Sequence, residues 1–212
     1  YWVNMTGHAD MVELPNGNWI MVCLGIRNDE NRGSNMGRET LILPVVWEKE
    51  PFWWKETQYN WPVCNPLSGK IEKQYPYFLP INDSTYEPTK KEYEFQENTL
   101  PLNWIHRRVS LENSYSLNTK TGYLSMYCLP DTIKERSPYN FIGIKQNETH
   151  FETSTTMQFN PTINGEEAGL CLIQKDDNYI LFDVRHEDNE NVLRLVINAK
   201  KKNAILQKDL VM

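Results

Sequence analysis

Apolar and polar residues alternate over short stretches through much of the chain, and this pattern is typical of β-strands with one buried face. The clearest case is "DMVEL", which runs through "PNGN" into the apolar stretch "WIMVCLGIR". This arrangement predicts a β-hairpin, and the pair Asn16–Gly17 is expected to form its type I′ turn because both central residues of that turn need positive φ. A further apolar stretch, "ETLILPVVW", predicts another strand, in which Pro44 favours a sheet edge or a bulge.

The second half of the chain has a more regular rhythm, with a short predicted strand roughly every ten residues. Segments rich in Asn, Asp and Gly separate these strands and fit tight turns. This spacing predicts an antiparallel β-sandwich, and because its last strand runs directly into Met212, the sandwich is expected to be incomplete. The predicted strands are "NWIHRRV", "GYLSMYCL", "NFIGIKQ", "HFETSTTMQF", "AGLCLIQ", "NYILFDVRH", "NVLRLVIN" and "AILQKDLVM".

Between these two parts, prolines interrupt an aromatic-rich segment and the periodicity weakens, which indicates a change of domain. We predict a first domain at 1–74, a linker at 75–97 and the β-sandwich at 98–212. Only four alanines occur, whereas Trp, Tyr and Phe make up 12% of the residues, and this balance disfavours helices. The predicted fold class is therefore all-β.

The net charge and the apolar content exclude some classes of partner. A formal net charge of −6 argues against a nucleic-acid partner, because nucleic-acid-binding proteins carry basic patches. No apolar stretch approaches the roughly 18 residues needed to cross a bilayer, so no membrane partner is expected. The four cysteines are too far apart for a close metal-ligand spacing, and Cys23 and Cys171 are interpreted as small core residues on strands.

Two short motifs are candidates for a functional site. His8 stands between Gly7 and Asp10 just before the predicted hairpin, where a compact polar turn is expected. Arg38 follows Gly37 at the start of a predicted strand, and its planar guanidinium can hold two oxygens at once, although such an arginine is more often a surface ion-pair partner. Because both motifs lead into strands of one predicted sheet, both side chains could open on the same rim and form a pocket.

Other kinds of chemistry have no support in the sequence. There is no G-x-S-x-G motif, no glycine-rich phosphate loop and no pair of carboxylates that the spacing picks out. A metal hydrolase centred on His8 and Asp10 would lack further ligands at a workable spacing.

The segments "GHADMVELPNGNWIMVCLGIR", "GRETLILPVVWE" and "WPVCNPLSGKI", in this order, resemble the closing part of the catalytic domain of glycoside hydrolase family 43, which contains β-xylosidases and α-L-arabinofuranosidases. The segments "LPLNWIHRRV", "YSLNTKTGYLSMY", "FIGIKQNETHFETSTTMQF" and "EEAGLCLIQKDDNYILFDV" are similar to the concanavalin A-like sandwich that follows the catalytic domain in its two-domain members. The resemblance implies the end of a five-bladed β-propeller followed by this sandwich.

The resemblance also implies a function for the parent protein. Family members release terminal xylose or arabinose from plant cell-wall polysaccharides or oligosaccharides with inversion, using two carboxylates and a third that tunes the acid. In the family all three lie upstream of the motif that matches "GHAD", so no catalytic residue is expected in this chain, and Asp10, Glu13 and Glu39 are not assigned as catalytic. The chain alone is expected to be inactive.

Two site residues follow from the matched motifs. The resemblance places His8 at the propeller axis as a substrate-binding residue close to a structural calcium ion, which it would contact directly or through water. It makes Arg38 a residue that contacts the sugar. No cofactor is expected for the chemistry itself.

An alternative from another class is a non-catalytic carbohydrate-binding or interaction module of the β-sandwich type. The aromatic residues of "PFWWKETQYNW" would then stack on sugar rings, although packing between domains is the commoner use of such residues. These residues are Trp53, Trp54, Tyr59 and Trp61.

Overall fold

The computed structural model describes residues 1–49, 60–75 and 90–199, together with the backbone of residues 204–211. Every regular element within these residues is a β-strand, which confirms the all-β fold class. No helix in the described part of the chain is long and apolar enough to span a membrane.

The chain divides into two compact units. The first contains Tyr1–Thr89 together with Gln146–Phe151, and the second contains Lys90–Lys145 together with Glu152–Met212. Because residues 76–89 lie outside the described part, the domain boundaries at residues 74 and 97 stay a prediction.

The first unit is a four-stranded antiparallel meander in which each strand pairs with the next along the chain. The strands of this meander are β1 (Val3–Glu13), β2 (Trp19–Arg27), β3 (Arg38–Glu48) and β4 (Trp61–Cys64). The buried apolar residues of the two central strands are Ile20 and Cys23 in β2 and Leu43 and Val45 in β3. Because successive strand residues point to opposite faces, Leu43 and Val45 share one face of β3, whereas Ile20 and Cys23 lie on opposite faces of β2.

The hairpin between β1 and β2 forms as predicted, but its turn type differs. The amide of Gly17 donates to the carbonyl of Leu14 at 2.8 Å, so Pro15 and Asn16 are the central residues of the turn. Gly17 has a φ of 80° and Asn16 is not among the residues with positive φ. The prediction of a type I′ turn at Asn16–Gly17 is therefore wrong, because the fixed negative φ of Pro15 favours a type I turn that starts one residue earlier and ends on a left-handed glycine.

Strand β1 contains two β-bulges. Its pairing with β2 shifts register between Asn4 and Gly7 and again between Gly7 and Asp10, and each interval has one more residue on β1 than on β2. One residue in each interval adopts a left-handed backbone, Met5 with a φ of 50° and His8 with a φ of 49°. Bulges of this kind bend a strand and re-aim its side chains.

Pro44 lies in β3 with backbone neighbours on both sides. It pairs with Ile20 of β2 in unbroken register, and its carbonyl accepts from the amide of Asn65 at 2.8 Å, just beyond the end of β4. The expectation that Pro44 marks a sheet edge or a bulge is therefore wrong. Proline is tolerated there because the pairing of β3 with β4 begins at the next residue, Val45, so at most one ladder hydrogen bond is lost.

The second unit contains one large antiparallel sheet and two short ones. The large sheet is ordered β12-β11-β10-β9. The short sheets pair β5 with β8 and β6 with β7. The strands are β5 (Trp104–His106), β6 (Tyr115–Ser116), β7 (Ser125–Met126), β8 (Ile142–Ile144), β9 (Glu167–Lys175), β10 (Asn178–Glu187), β11 (Glu190–Ala199) and β12 (Ala204–Val211).

The strand predicted from "HFETSTTMQF" is not formed, because residues 150–159 contain no regular structure. Two apolar residues of this segment, Phe151 and Met157, are 45% and 40% exposed. The alternation was therefore misleading, since the residues on its apolar side stay largely exposed and no neighbouring strand in the described part of the chain pairs with the segment.

A type I′ turn does occur, between β10 and β11. Glu187 pairs with Glu190, and the two residues between them, Asp188 and Asn189, have φ values of 52° and 68°. This geometry matches the twist of the flanking strands and fixes their register.

The β9–β12 sheet has two contrasting faces. One face is buried and includes Tyr179, Val192 and Val196. The other carries Leu172, Ile180 and Phe182, which are 44%, 39% and 48% exposed. An apolar face of this kind is the surface that a second sheet covers in a β-sandwich.

Four charged side chains form an ion-pair network within the buried face. Arg194 donates from Nε to Oδ1 of Asp183 at 3.0 Å and from Nη2 to Oδ2 at 2.6 Å. Glu167 accepts from Arg194 and from Arg185, each at 2.6 Å. Burial raises the pKa of Asp183 while the bonds from Arg194 oppose this rise. Because an arginine keeps its proton, removal of its partner would leave a buried charge.

We predict that Asp183→Asn destabilises the folded chain by about 3 kcal/mol, because breaking a buried pair leaves Arg194 poorly compensated. Urea unfolding followed by tryptophan fluorescence measures the change. The control is Glu92→Gln, whose partner Lys90 is solvent-exposed, and it should cost less than about 0.5 kcal/mol. Equal midpoints for the two variants would contradict the assigned importance of the network.

Candidate functional site

His8 lies inside β1, at the second of its two bulges. Its side chain is exposed, and among the described residues no hydrogen-bond or ion-pair partner faces the imidazole. A histidine with a φ of 49° is energetically unfavourable compared with glycine at the same position. The second bulge accounts for this backbone, since Met5 has nearly the same φ, 50°, at the first bulge.

Arg38 is the first residue of β3 and pairs with Ile26 of β2. Gly37, which precedes it, has a φ of 75°. The guanidinium of Arg38 is exposed, and no carboxylate in the described part of the chain lies within ion-pair distance of it. The ordinary alternative, a surface ion pair made by Arg38, is therefore absent from these residues.

The neighbouring Arg27 makes the ion pair instead. Its Nε and Nη2 atoms donate to the two carboxylate oxygens of Glu39 at 3.0 and 2.6 Å. These hydrogen bonds raise the pKa of Arg27 against the opposing effect of burial, and the charges of Glu39 and Glu148 act in the same direction as the bonds. Because neighbouring strand residues point to opposite faces, Arg38 lies on the face of β3 away from Glu39.

The structure places His8 and Arg38 in one sheet, separated by β2. Two strand spacings separate β1 from β3 by about 10 Å, and Arg38 lies a further two residues along β3 from Thr40, which is in line with Gly7. The sequence suggested that His8 lies in a polar turn at the rim. This is wrong, because β1 continues through His8 as one strand with two bulges. The roles of Arg38 and His8 in sugar binding stay predictions.

Of the two cysteines interpreted as core residues, Cys23 is buried and Cys171 is half-buried. Cys23 is 5% exposed, and burial, followed by the proximity of Cys64, raises its pKa. Burial raises the pKa of Cys171 to about 12. These thiols stay protonated at neutral pH and make poor metal ligands.

A calcium ion near His8 is not supported by the described residues alone. In that part of the chain no three His, Cys, Asp or Glu side chains converge as a metal site. Calcium takes mainly oxygen ligands, so His8 would supply one contact and the rest would have to come from outside these residues. The calcium site stays a prediction.

The aromatic residues of the alternative hypothesis are mostly outside the described residues, namely Trp53, Trp54 and Tyr59. Trp61 is described, as the first residue of β4, and is 52% exposed.

The sequence reading missed the network of Glu167, Asp183, Arg185 and Arg194 on the buried face of the second unit. A signal for it was present. Asp183 and Arg194 stand at equal distances from the two-residue turn at Asp188 and Asn189, so a tight hairpin there would bring the opposite charges into register.

Comparison with known proteins identifies the family. The model of the β-xylosidase C-terminal concanavalin A-like domain of glycoside hydrolase family 43 matches residues 92–211, which is more than half of the chain. The chain therefore belongs to this family, and the resemblance seen in the sequence is confirmed.

Two curated relatives extend the similarity to the first unit. A xylosidase/arabinosidase from Butyrivibrio fibrisolvens is 32% identical over 190 residues, which is 89% of this chain and 35% of that protein. A non-reducing end α-L-arabinofuranosidase from Bacteroides ovatus is 28% identical over 197 residues, which is 92% of this chain and 35% of that protein. The chain thus spans about a third of the length of these relatives.

Solved structures show the same fold. A Bacteroides ovatus family 43 protein from a xyloglucan utilisation locus aligns with the whole chain, covering 40% of its own length, with a TM-score of 0.80 and 24% identity. A xylan β-1,4-xylosidase from Bacillus halodurans also aligns over the whole chain and 39% of its own length, with a TM-score of 0.68 and 18% identity.

We predict that His8→Gly leaves the stability of the folded chain unchanged or raises it by up to about 1 kcal/mol, because glycine accepts a left-handed backbone without strain. His8→Val should lower stability by about 1–2 kcal/mol, since a β-branched residue is poorly tolerated at that φ. Urea unfolding midpoints give both values.

The matched control is Ala9→Gly at the next position, where φ is not left-handed, and it should cost about 0.5–1 kcal/mol. If His8→Gly costs as much as the control, the histidine is retained for stability and its functional assignment loses its structural support.

Proposed function

We propose that the protein containing this chain is a glycoside hydrolase that releases terminal xylose or arabinose from plant cell-wall polysaccharides or oligosaccharides by inverting hydrolysis. The observation that carries the proposal is an exposed arginine, Arg38, which has no carboxylate partner among the described residues and stands at the start of a strand in the same sheet as the strained His8. The names of the curated relatives, a xylosidase/arabinosidase and an α-L-arabinofuranosidase, support the same class of substrate.

In this proposal the guanidinium of Arg38 donates hydrogen bonds to neighbouring hydroxyl oxygens of the terminal sugar. A planar fork can hold two oxygens in a fixed orientation, so it positions the ring rather than only attracting it. His8 contributes a further polar contact from β1. Arg27 does not compete for the sugar, because both oxygens of Glu39 already hold it.

The chemistry itself is assigned to residues outside this chain. Inverting hydrolysis needs a general acid and a general base whose carboxyl groups are about 6.5–9.5 Å apart, so that a water molecule fits between the base and the sugar. Glu39 is unsuited to either role, because its two hydrogen bonds from Arg27 hold it as an ion-paired carboxylate. Asp10 and Glu13 are likewise not assigned as catalytic.

We predict that Arg38→Ala in the full-length protein lowers kcat/KM for p-nitrophenyl β-xyloside or α-L-arabinofuranoside about 100-fold, because misplacing the sugar costs rate as well as binding. Arg38→Lys should recover little, since an ammonium lacks the fork. The control Arg136→Ala removes an exposed arginine of the second unit and should leave kcat/KM unchanged. Full activity of Arg38→Ala would contradict the role assigned to Arg38.

We further predict that the 212-residue chain alone hydrolyses neither p-nitrophenyl substrate, because the proposal assigns the acid and the base to residues outside it. Release of p-nitrophenol is measured with purified chain at high concentration, alongside the full-length protein as the positive control. Clear turnover by the pure chain would overturn the assignment of the catalytic carboxylates to other parts of the protein.

A further inference from the structure

One short segment from late in the sequence belongs structurally to the first unit. Residues Gln146–Phe151 group with Tyr1–Thr89, whereas the residues on both sides of them group with the second unit. Within the first unit the segment contacts the connection between β2 and β3, which runs from residue 28 to residue 37. We call Gln146–Phe151 the clamp segment.

The clamp segment holds the two residues that precede Gly37. The side-chain amide of Asn35 donates to the backbone carbonyl of Thr149 at 3.0 Å. The side-chain amide of Gln146 lies 3.5 Å from the sulfur of Met36, and it also donates to the carbonyl of Glu148 at 2.8 Å. The second bond fixes the Gln146 side chain within its own segment.

The first half of the β2–β3 connection is stabilised by hydrogen bonds among its own residues. The Asp29 carboxylate accepts from the amides of Asn31 and Gly33 at 2.8 and 2.6 Å. The amide of Asp29 also donates to the carbonyl of Gly33 at 2.8 Å. The clamp segment therefore acts on the second half of the connection, which leads directly into Arg38.

The charge of Glu148 in the clamp segment acts on Arg27, at the same end of the sheet as Arg38. The carboxylate of Glu148 adds to that of Glu39 in raising the pKa of Arg27. Arg27 is the last residue of β2 and Arg38 is the first residue of β3. The segment thus reaches the sheet at the point where the proposed sugar-binding arginine begins its strand.

From these contacts we infer that the clamp segment positions Arg38 for sugar binding. Asn35 is the positioning residue, because its side chain makes the hydrogen bond to the clamp segment. This inference rests on the proposed function. A left-handed glycine at position 37 would otherwise let the start of β3 swing, because glycine has few steric limits on its backbone. A shift of about 1 Å at a sugar-binding group is enough to reduce catalysis strongly.

The test uses Asn35→Asp in the full-length protein. This change keeps the shape of the side chain but removes the donor to Thr149. We expect kcat/KM on the p-nitrophenyl pentosides to fall about tenfold, with an unchanged urea midpoint. The matched control is Asn31→Asp, an identical change in the same connection, where only the backbone amide is used by Asp29. Equal activity of the two variants would overturn the inference.

A double variant separates positioning from a direct role. If Asn35 acts through Arg38, adding Asn35→Asp to Arg38→Ala should cause no further loss of kcat/KM. A further tenfold loss would show that Asn35 acts by another route and would overturn the inference. Full activity of Arg38→Ala would contradict the proposed role of Arg38. That result differs from an additive loss in the double variant, which would contradict only the role of Asn35.

Hydrogen exchange gives a readout that needs no activity. In Asn35→Asp, the backbone amides of residues 34–40 should exchange faster than in the unmodified protein, whereas those of residues 19–25 should not change. Unchanged exchange at 34–40 would show that the clamp segment does not hold this region, whatever the protein hydrolyses.

Discussion

Backbone pairing along β2 is the constraint on which the candidate site depends. This strand pairs with β1 on one side and with β3 on the other, and it buries Ile20 on one face and Cys23 on the other. The hydrogen-bonded ladders on its two sides fix its register. The register in turn fixes where β1 presents His8 and where β3 begins with Arg38.

Local distortions give this regular sheet its functional features. A uniform ladder between β1 and β2 would leave His8 as an ordinary strand residue, whereas the second bulge gives it a left-handed backbone and a new direction. At the start of β3, the bidentate pair of Arg27 with Glu39 satisfies the acid nearest to Arg38. The left-handed backbone of His8 costs conformational energy, whereas the exposed guanidinium of Arg38 stays hydrated.

The sequence predicted the strands well and the local geometry less well. The pattern of apolar residues was enough to find β2, β3, β9, β10 and β11 and the end of β1. It failed at "HFETSTTMQF", where apolar and polar residues alternate but no strand forms, and at Asn16–Gly17, where Pro15 makes the turn begin one residue earlier. The contact between Asn35 and Thr149 spans too much sequence for any pattern to reveal, since it depends on the tertiary path of the chain. His8 and Arg38 were singled out by the glycine and charged residues beside them, and the family resemblance supplied the roles predicted for them.

The most direct test of the account is a crystal structure of the full-length protein with xylose or arabinose bound. The account predicts that the guanidinium of Arg38 lies within hydrogen-bond distance, about 2.7–3.2 Å, of two sugar oxygens, with the imidazole of His8 facing the same cavity. A sugar bound in the catalytic domain without contact to Arg38 would contradict the account.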